Sequence, residues 1–293
     1  MNCLKLVKIT ASNVASFSKL PLRMPFHIQS RSDSSIEKVT HRKRSPCEVC
    51  IFPPDRKPCF DIRNVTIERG NNSHANQIRS FLYTEFWPRE PSVVGLWMCL
   101  NCPYLEILTE KYANSGDRLL ALERIKRTGE QKLVGVSVSN KVFPWAADEL
   151  EEWAHHTAST PERNRMYFCA HCIRSPNLFQ KYNVEFIYEV EVLATAAEVS
   201  GQGVGTTLLR TALAHAEELR YPLIQVVAVS QYTSRICEKC GMKREWSMDY
   251  SDFVDDAGQR VFFPRRPHHT VAIYTTHYNP DVGFREPCKP PFL

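Results

Sequence analysis

Hydrophobic residues recur along this chain in two spacings, one typical of helices and the other typical of strands. Helical spacing first occurs over residues 73–86, and Pro88 must end that helix. A second helical region is predicted over 90–117, and the polar stretch 144–176 fits helix and loop. A third apolar stripe at helical spacing ends before Pro222 and consists of Leu208, Leu209, Ala212, Leu213, Ala216 and Leu219.

Strand-like segments separate these helices. Residues 59–70 have β-type content, and residues 118–143 predict two strands joined by a turn at 128–132. A long strand from about Val184 and a buried strand over 223–230 follow. Strands and helices that alternate in this way predict the α+β class, with α/β-like alternation and a mixed sheet.

The last part of the chain predicts one more helix and a hairpin. "TSRICEKC" (233–240) has the pattern of a short helix that Gly241 stops. "RVFF" (260–263) and "HTVAIYTTHY" (269–278) then predict an antiparallel pair, with "DDAGQ" as its turn.

Charge divides the 293-residue chain into a basic head and a nearly neutral body. The formal net charge is +5, but residues 1–46 hold nine Lys and Arg against only Asp33 and Glu37. The remainder is slightly acidic, and it contains no nucleic-acid-binding motif, so we expect no nucleic-acid partner. The longest dense apolar patch, "VVGLWMCL", is much shorter than the ~18 residues that a membrane helix needs, so we expect no membrane partner.

Composition also predicts the domain boundaries. Residues 1–58 form a basic, Ser-containing extension, whose composition fits either a disordered tail or an organelle transit peptide. It lacks the apolar core of a secretory signal, so we expect a cytoplasmic protein, with mitochondria as the alternative. Residues 59–281 hold the periodic segments of one domain, and residues 282–293 form a C-terminal tail.

Eleven cysteines raise the question of a metal. Four C-x-x-C pairs occur, and two such pairs at suitable separation would make a structural zinc site. Their separations are long and irregular, and without a secretory signal we expect reduced, mostly buried thiols and no metal. The four pairs are Cys47/Cys50, Cys99/Cys102, Cys169/Cys172 and Cys237/Cys240.

The stretch "VSGQGVGTTLL" (199–209) is the strongest candidate for chemistry. A strand, a glycine-rich turn and a helix N-terminus together make an anion site, because free N–H groups and the helix dipole favour negative charge. A phosphate-binding Walker loop would need a Lys after Gly205, and that position holds Thr206. A Rossmann loop would need a third Gly where Leu208 stands.

This loop resembles the acetyl-CoA loop of the GNAT N-acetyltransferases, whose pattern is Arg/Gln-x-x-Gly-x-Gly/Ala. Gly203 and Gly205 match, whereas Ser200 replaces the usual Arg or Gln. "SRICEKCGMKRE" is similar to the next GNAT signature, with Met242 in place of Phe. Over about residues 60–280, "FLYTEFWPREP", "LFQKYNVEFIYEVEVLAT" and "DAGQRVFFPRRPHHTVAIY" resemble the invertebrate arylalkylamine (dopamine-type) N-acetyltransferases, although Ala194-Thr195-Ala196 replaces their Ser-Val-Asp.

The resemblance implies a mostly antiparallel sheet with a splayed cleft, acetyl-CoA as co-substrate and a small amine as acceptor. The strand end would offer backbone groups to the pantetheine arm, and the loop would hold the pyrophosphate. Nothing in the sequence indicates the oligomeric state. The residues implied in cofactor binding are Leu193, Ala194, Thr195, Gly201, Gln202, Gly203, Val204, Gly205 and Thr206.

The resemblance also implies Glu90 of the Glu-Pro motif as the general base. Its alternatives are a surface carboxylate in a turn, or a base at Glu189 or Glu191 on the strand before the loop. The Tyr acid of many GNAT enzymes is replaced by Cys237, and serines are implied instead.

Candidate proton donors follow the buried strand over 223–230. Ser234 is a candidate proton donor or CoA contact, and Ser230 is another unless it is simply a loop cap at the strand end. Tyr232 is a substitute acid, and a structural role is expected for the pair His268/His269.

Three functions stay open at this point. The first is acetylation of small primary amines, above all arylalkylamines. The second keeps the fold but acetylates protein or polyamine amines. The third is a binding module without turnover, or a zinc-stabilised interaction protein.

Overall fold

The computed structural model describes residues 60–125, 128–255 and 257–277. The basic extension, the pair Cys47/Cys50 and the C-terminal tail lie outside the described residues. The strands are β1 (Val65–Arg69), β2 (Asp117–Arg124), β3 (Gln131–Val142), β4 (Ile187–Thr195), β5 (Leu223–Ala228), β6 (Lys243–Asp249) and β7 (Thr270–His277). The helices are α1 (Ala75–Phe81), α2 (Pro91–Gly95), α3 (Pro103–Asn114), α4 (Ala146–His155), α5 (Thr160–Arg174), α6 (Leu178–Tyr182), α7 (Val204–Glu218) and α8 (Gln231–Lys239).

These strands form one open sheet in the order β1-β2-β3-β4-β5-β7-β6. Every neighbouring pair is antiparallel except β4 and β5, which run parallel. A mostly antiparallel mixed sheet with flanking helices confirms the predicted α+β fold class. Helix α7 supplies the crossover that a parallel pair requires.

Local sequence explains why α7 forms and which face it buries. Gly203 precedes it with a left-handed backbone, and Leu208, Leu209, Ala212 and Ala216 form a stripe that is almost completely inaccessible to solvent. Because residues three and four apart share one helix face, that stripe packs on the sheet. The predicted helix therefore occupies the expected position, and its last turn ends before Pro222.

The chain between α1 and α2 winds in irregular helical turns that position the site. The helix predicted to end at Pro88 continues from α1 through a wider turn at Leu82–Phe86 and a tighter turn at Trp87–Arg89. Pro91 then occupies the first position of α2, where its missing N–H costs nothing. Glu90 is therefore fixed between two helical segments by a proline on either side.

One predicted pairing is wrong. Residues 260–263 were expected to form a hairpin with β7, but β7 pairs with β6 on one side and with β5 on the other. Only a single bridge, Val254 to Arg260, flanks the predicted turn. Pro264 and Pro267 lack the N–H groups that a ladder needs, and Phe262 is instead buried against Phe168 and other rings.

Candidate active site

Strands β4 and β5 separate shortly after they begin to pair. Parallel pairing is limited to Tyr188 with Ile224 and Glu189 with Gln225. β4 stays paired with β3 as far as Thr195, whereas β5 pairs with β7 along its whole length. Alternate peptide groups of β4 after Glu189 therefore face a gap rather than a neighbouring strand. This gap is the splayed cleft that the resemblance implied, and Leu193, Ala194 and Thr195 lie along it.

The glycine loop adopts a conformation that requires glycine at two positions. Gly201 has φ +78° and Gly203 has φ +93°, both in the left-handed region that side chains disfavour. A Cβ on Gly203 would approach the Cδ1 of Ile62 to 3.1 Å, so that face is closely packed as well. A Cβ on Gly205 would lie 3.0 Å from the Cδ1 of Ile236, so this glycine lets α7 approach α8.

The first turn of α7 presents backbone donors beside the cleft. Within the loop the Gln202 N–H donates to the Val199 carbonyl at 3.3 Å. The first bond of the helix runs from the Thr207 N–H to the Gly203 carbonyl at 3.0 Å, which leaves the amides of Val204, Gly205 and Thr206 at the helix start. Gln202 turns away, since its side-chain amide donates to the Glu198 carbonyl. The remaining surface is mostly backbone, which suits a phosphate.

Two side chains that the sequence analysis missed join the chain before Glu90 to the end of β4. The guanidinium of Arg89 donates to the Thr195 carbonyl, and the Ala197 N–H donates to the Glu85 carboxylate at 2.9 Å. Arg89 and Glu85 also form an ion pair at 3.1 Å. The segment that carries Glu90 is thus tied to the strand end that precedes the glycine loop.

Glu90 is buried, with an exposed fraction of only 4%, and lines a cavity of about 440 Å³. Its carboxylate caps α2 by accepting from the Val93 N–H. The Ser92 hydroxyl lies 2.8 Å from both carboxylate oxygens. The structure therefore places Glu90 in a fixed orientation at the wall of a cavity, and it also gives this residue a capping role.

The cavity wall is largely aromatic. Of the aromatic residues near Glu90 in the sequence, Phe86 and Trp87 line the cavity, whereas Phe81 does not and Trp97 is 78% exposed. Leu193 of β4 contributes to the same wall. A cavity of this composition accommodates a flat apolar group. The other lining aromatic residues are Tyr104, Tyr112, Phe143, Trp145, Trp153 and Phe168.

Two carboxylates on the cavity face of β4 differ in their partners. Glu189 accepts one hydrogen bond from the Gln225 amide at 2.7 Å. Glu191 accepts from the Lys111 ammonium at 2.7 Å and from the Asn140 amide at 3.0 Å. Burial and, less strongly, the charge of Glu191 raise the pKa of Glu189 to about 7. Glu189 therefore titrates near neutral pH.

Glu189→Gln is expected to stabilise the protein more at pH 8.5 than at pH 5. A raised pKa in the folded state means that the stability contributed by protonated Glu189 is present at low pH and lost as the pH rises through about 7. Neutral Gln avoids that loss and keeps an acceptor for Gln225. Urea denaturation at both pH values should show a gain of about 1–3 kcal/mol that is confined to the higher pH.

Glu106→Gln, at an exposed position of α3, is the control for this experiment, because it should change the free energy of unfolding little at either pH. Equal gains from Glu189→Gln at the two pH values would contradict the raised pKa.

The candidate proton donors after β5 occupy different surroundings. The Ser230 hydroxyl caps α8, since it accepts from the Thr233 N–H at 3.0 Å. Ser234 is buried one turn later and does not line the cavity. Thr233, which the sequence analysis did not single out, lines it and lies 2.8 Å from Ser230 through its hydroxyl. Tyr232 is largely exposed and packs edge-on against His268.

The histidines on the segment before β7 have local partners. Nδ1 of His268 accepts from the Gln231 N–H at 3.2 Å, and burial lowers the pKa of His268. Nδ1 of His269 lies 2.8 Å from the Pro267 carbonyl. Both contacts are of the structural kind that the sequence predicted.

Within residues 60–277, apart from the three positions that are not described, no group of three or more His, Cys, Asp or Glu is arranged to hold a metal ion. The three C-x-x-C pairs in this part of the chain are free cysteines. Burial raises the pKa of Cys237 to about 12, so this cysteine stays a protonated thiol at neutral pH. Among the same residues, no helix is long and apolar enough to cross a membrane.

Comparison with solved structures identifies the fold, while no protein-family model matches the sequence. The chain is similar to a mosquito arylalkylamine N-acetyltransferase-like 5b protein, with 20% identity over 73% of this chain and 100% of that one, and a TM-score of 0.66. Arylalkylamine N-acetyltransferase 2 of Aedes aegypti gives 17% identity, coverage of 74% and 100%, and a TM-score of 0.66. A polyamine N-acetyltransferase of Drosophila melanogaster gives 19% identity, coverage of 73% and 100%, and a TM-score of 0.63.

These similarities show that the described residues have the GNAT fold of arylalkylamine and polyamine N-acetyltransferases. They confirm the fold that the glycine loop and its neighbouring segments indicated.

Proposed function

We propose that this protein is an acetyl-CoA-dependent N-acetyltransferase of small primary amines, above all arylalkylamines. One observation carries the proposal: the edge of β4 that is unpaired after Glu189 borders an aromatic cavity with the buried carboxylate of Glu90 in its wall, and β4 then leads along the chain to the glycine loop before α7. Solved structures with the same fold are described as arylalkylamine and polyamine N-acetyltransferases, which supports an acyltransferase activity.

The residues of the cleft fit acetyl-CoA by their chemistry. The backbone of Leu193, Ala194 and Thr195 would pair with the pantetheine arm in place of the missing strand. The pyrophosphate would take the amides of Gly201 and of Gly203 to Thr206, where left-handed glycines keep side chains away, whereas the Gln202 N–H already donates to the Val199 carbonyl. Ser200 supplies no cation, so the backbone and the helix dipole bear most of this interaction.

The amine must lose a proton before it can attack a thioester. An alkylamine with a pKa near ~10.4 is almost entirely protonated at neutral pH, so a general base is required. We assign this role to Glu90, which lines the cavity in a fixed orientation and lies beside aromatic side chains. The amine nitrogen then forms the new bond to the acetyl carbon as the carbon–sulfur bond breaks.

Glu189 is a second candidate for the base. It also lines the cavity, and its pKa of about 7 is suited to proton transfer at neutral pH. Glu189 is the last residue of β4 that pairs with β5, so it lies where the two strands separate and the cleft opens. Comparison of the two Glu→Gln variants decides between them.

The leaving thiolate needs a proton or a hydrogen-bond donor. We keep Ser234 and Ser230 as candidates and add Thr233, because its hydroxyl contacts Ser230 and its side chain lines the cavity. A chain of two hydroxyls can pass a proton from the helix cap to the cleft.

A polyamine substrate is the second function that a specific observation favours. Glu149, Glu189 and Glu191 line the cavity together with Glu90, and such carboxylates suit a substrate with two positive charges. The Drosophila protein of the same fold is described as a polyamine N-acetyltransferase. Acetyl transfer to tryptamine, tyramine, dopamine and agmatine, read as release of CoA thiol, separates the two, and we expect the aromatic amines to be preferred.

A further inference from the structure

Arg165 of α5 is a buried cation in the wall of the cavity. Its exposed fraction is 8%, and it lines the cavity beside Trp87 and Glu90. No carboxylate oxygen of the described residues forms an ion pair with it within 4.0 Å. Lys111, the cation that pairs with Glu191, differs in this respect. The Glu90 carboxylate attracts this cation without touching it, so the direct contacts of the guanidinium decide how well the buried charge is satisfied.

Neutral groups satisfy only part of the guanidinium. Nε donates to the Ser92 hydroxyl at 3.2 Å, and Nη1 donates to the Tyr104 hydroxyl at 3.0 Å. The cation also lies 5.7 Å from the Trp87 ring centre and 5.4 Å from that of Tyr104. These contacts hold the side chain in one orientation. Nη2 has no hydrogen-bond partner among the described residues, and it keeps some solvent-accessible surface.

The position of Arg165 relative to Glu90 limits what could bind it. The Ser92 hydroxyl donates to Glu90 and accepts from Arg165, so the carboxylate and the guanidinium are less than two hydrogen-bond lengths apart. An amine held at Glu90 would therefore bring atoms close to its own nitrogen within reach of Arg165. Guanidinium N–H groups pair with oxygen acceptors, most strongly with carboxylates.

We propose that Arg165 selects amine substrates that carry an oxygen acceptor separated from the reacting nitrogen by two carbons, either a hydroxyl or a carboxylate. This inference rests on the proposed function, which does not itself require any substrate oxygen. Arg165 binds the acceptor through Nη2, while the hydrogen bonds of Nε to Ser92 and of Nη1 to Tyr104 keep the guanidinium plane in its orientation. An oxygen at the far end of the aromatic ring gains nothing from this contact.

Four amines that share a benzene ring and a primary amino group test the inference. Phenethylamine has no oxygen, phenylethanolamine has a hydroxyl near the nitrogen, phenylalanine has a carboxylate near it, and tyramine has only the distant ring hydroxyl. The wild-type protein should prefer phenylethanolamine or phenylalanine over phenethylamine by about tenfold or more in kcat/KM. The preferred member identifies whether the acceptor is a hydroxyl or a carboxylate.

Arg165→Met should abolish this preference: the ratio of kcat/KM for phenylethanolamine or phenylalanine to kcat/KM for phenethylamine should fall to about one, while the ratio of tyramine to phenethylamine should stay as in wild type. Arg165→Lys keeps the positive charge but loses the planar guanidinium with its several N–H donors, so it should retain only part of the preference. It also serves as the second variant if Arg165→Met does not fold, which thermal unfolding and acetyl-CoA binding will show.

Three results would overturn the inference. One is a wild-type protein that acetylates phenethylamine with no preference for a nearby oxygen. Another is an unchanged preference in the Arg165 variants, and the third is an equal loss on all four amines, which would make Arg165 a support for Glu90. A wild-type protein that acetylates none of these amines, nor tryptamine or dopamine, refutes the proposed function itself.

Discussion

Gly203→Glu is expected to abolish measurable acetyl-CoA binding. The backbone of Gly203 lies at φ +93°, and a side chain there meets the Cδ1 of Ile62 at 3.1 Å from its first carbon. The substitution also places a carboxylate at the start of α7, where the free amides and the dipole should bind phosphate. Titration calorimetry with acetyl-CoA should show a Kd at least about 100-fold weaker, since several charge-assisted hydrogen bonds are lost together.

Two variants separate the causes of that loss. Gly258→Glu has the same kind of strain, at φ +72° with no atom within 4 Å of its Cβ, but lies in the turn between Asp255 and Gln259 and not in the glycine loop. It should leave acetyl-CoA binding unchanged. Gly203→Ala adds strain without charge and should weaken binding less than Gly203→Glu. Normal affinity in Gly203→Glu would mean that the loop is only a turn.

Glu90→Gln is expected to lower kcat/KM for an arylalkylamine by at least about 100-fold at neutral pH, the scale of losing a general base. Gln keeps an acceptor for the Val93 N–H that caps α2, so the fold should survive. Acetyl-CoA affinity, measured in parallel, should change little, because Glu90 lies in the cavity and not at the glycine loop.

Glu106→Gln on the exposed face of α3 is the matched control and should retain full activity. If Glu90→Gln stays active while Glu189→Gln loses activity by the same factor, the base is Glu189. If both variants stay active, neither carboxylate is the base.

The parts of the site that local sequence determines could be predicted. Gly201 and Gly203 have left-handed backbones because the turn into α7 demands them, and glycine is the residue that permits this at low cost. Glu90 is similarly fixed by flanking prolines that end one helix and begin the next. A short stretch of sequence contains the whole cause in each case.

Contacts between distant residues could not be predicted in this way. Arg165 and Ser92 are 73 positions apart, Arg89 and Thr195 are 106 apart, and no periodicity marks either pair. The same limit explains the wrong hairpin, because β7 pairs with strands chosen by the whole sheet and not by the nearest turn.

The surroundings of the hydroxyl groups after β5 could not be predicted either. The resemblance to the invertebrate amine enzymes, together with a spacing of four residues, indicates Ser230 and Ser234. In the structure Ser230 caps α8, Ser234 is buried, and the intervening Thr233 is the residue that lines the cavity. The direction of a side chain depends on where the helix begins, which the spacing of two serines does not define.

The central claim is tested most directly by release of CoA thiol from acetyl-CoA, with and without an arylalkylamine such as tyramine. We predict thiol release that depends on the amine, one N-acetylated amine for each thiol, and loss of both in Glu90→Gln. Tight binding of acetyl-CoA without amine-dependent thiol release, for aromatic amines and agmatine alike, would contradict it and leave a binding module.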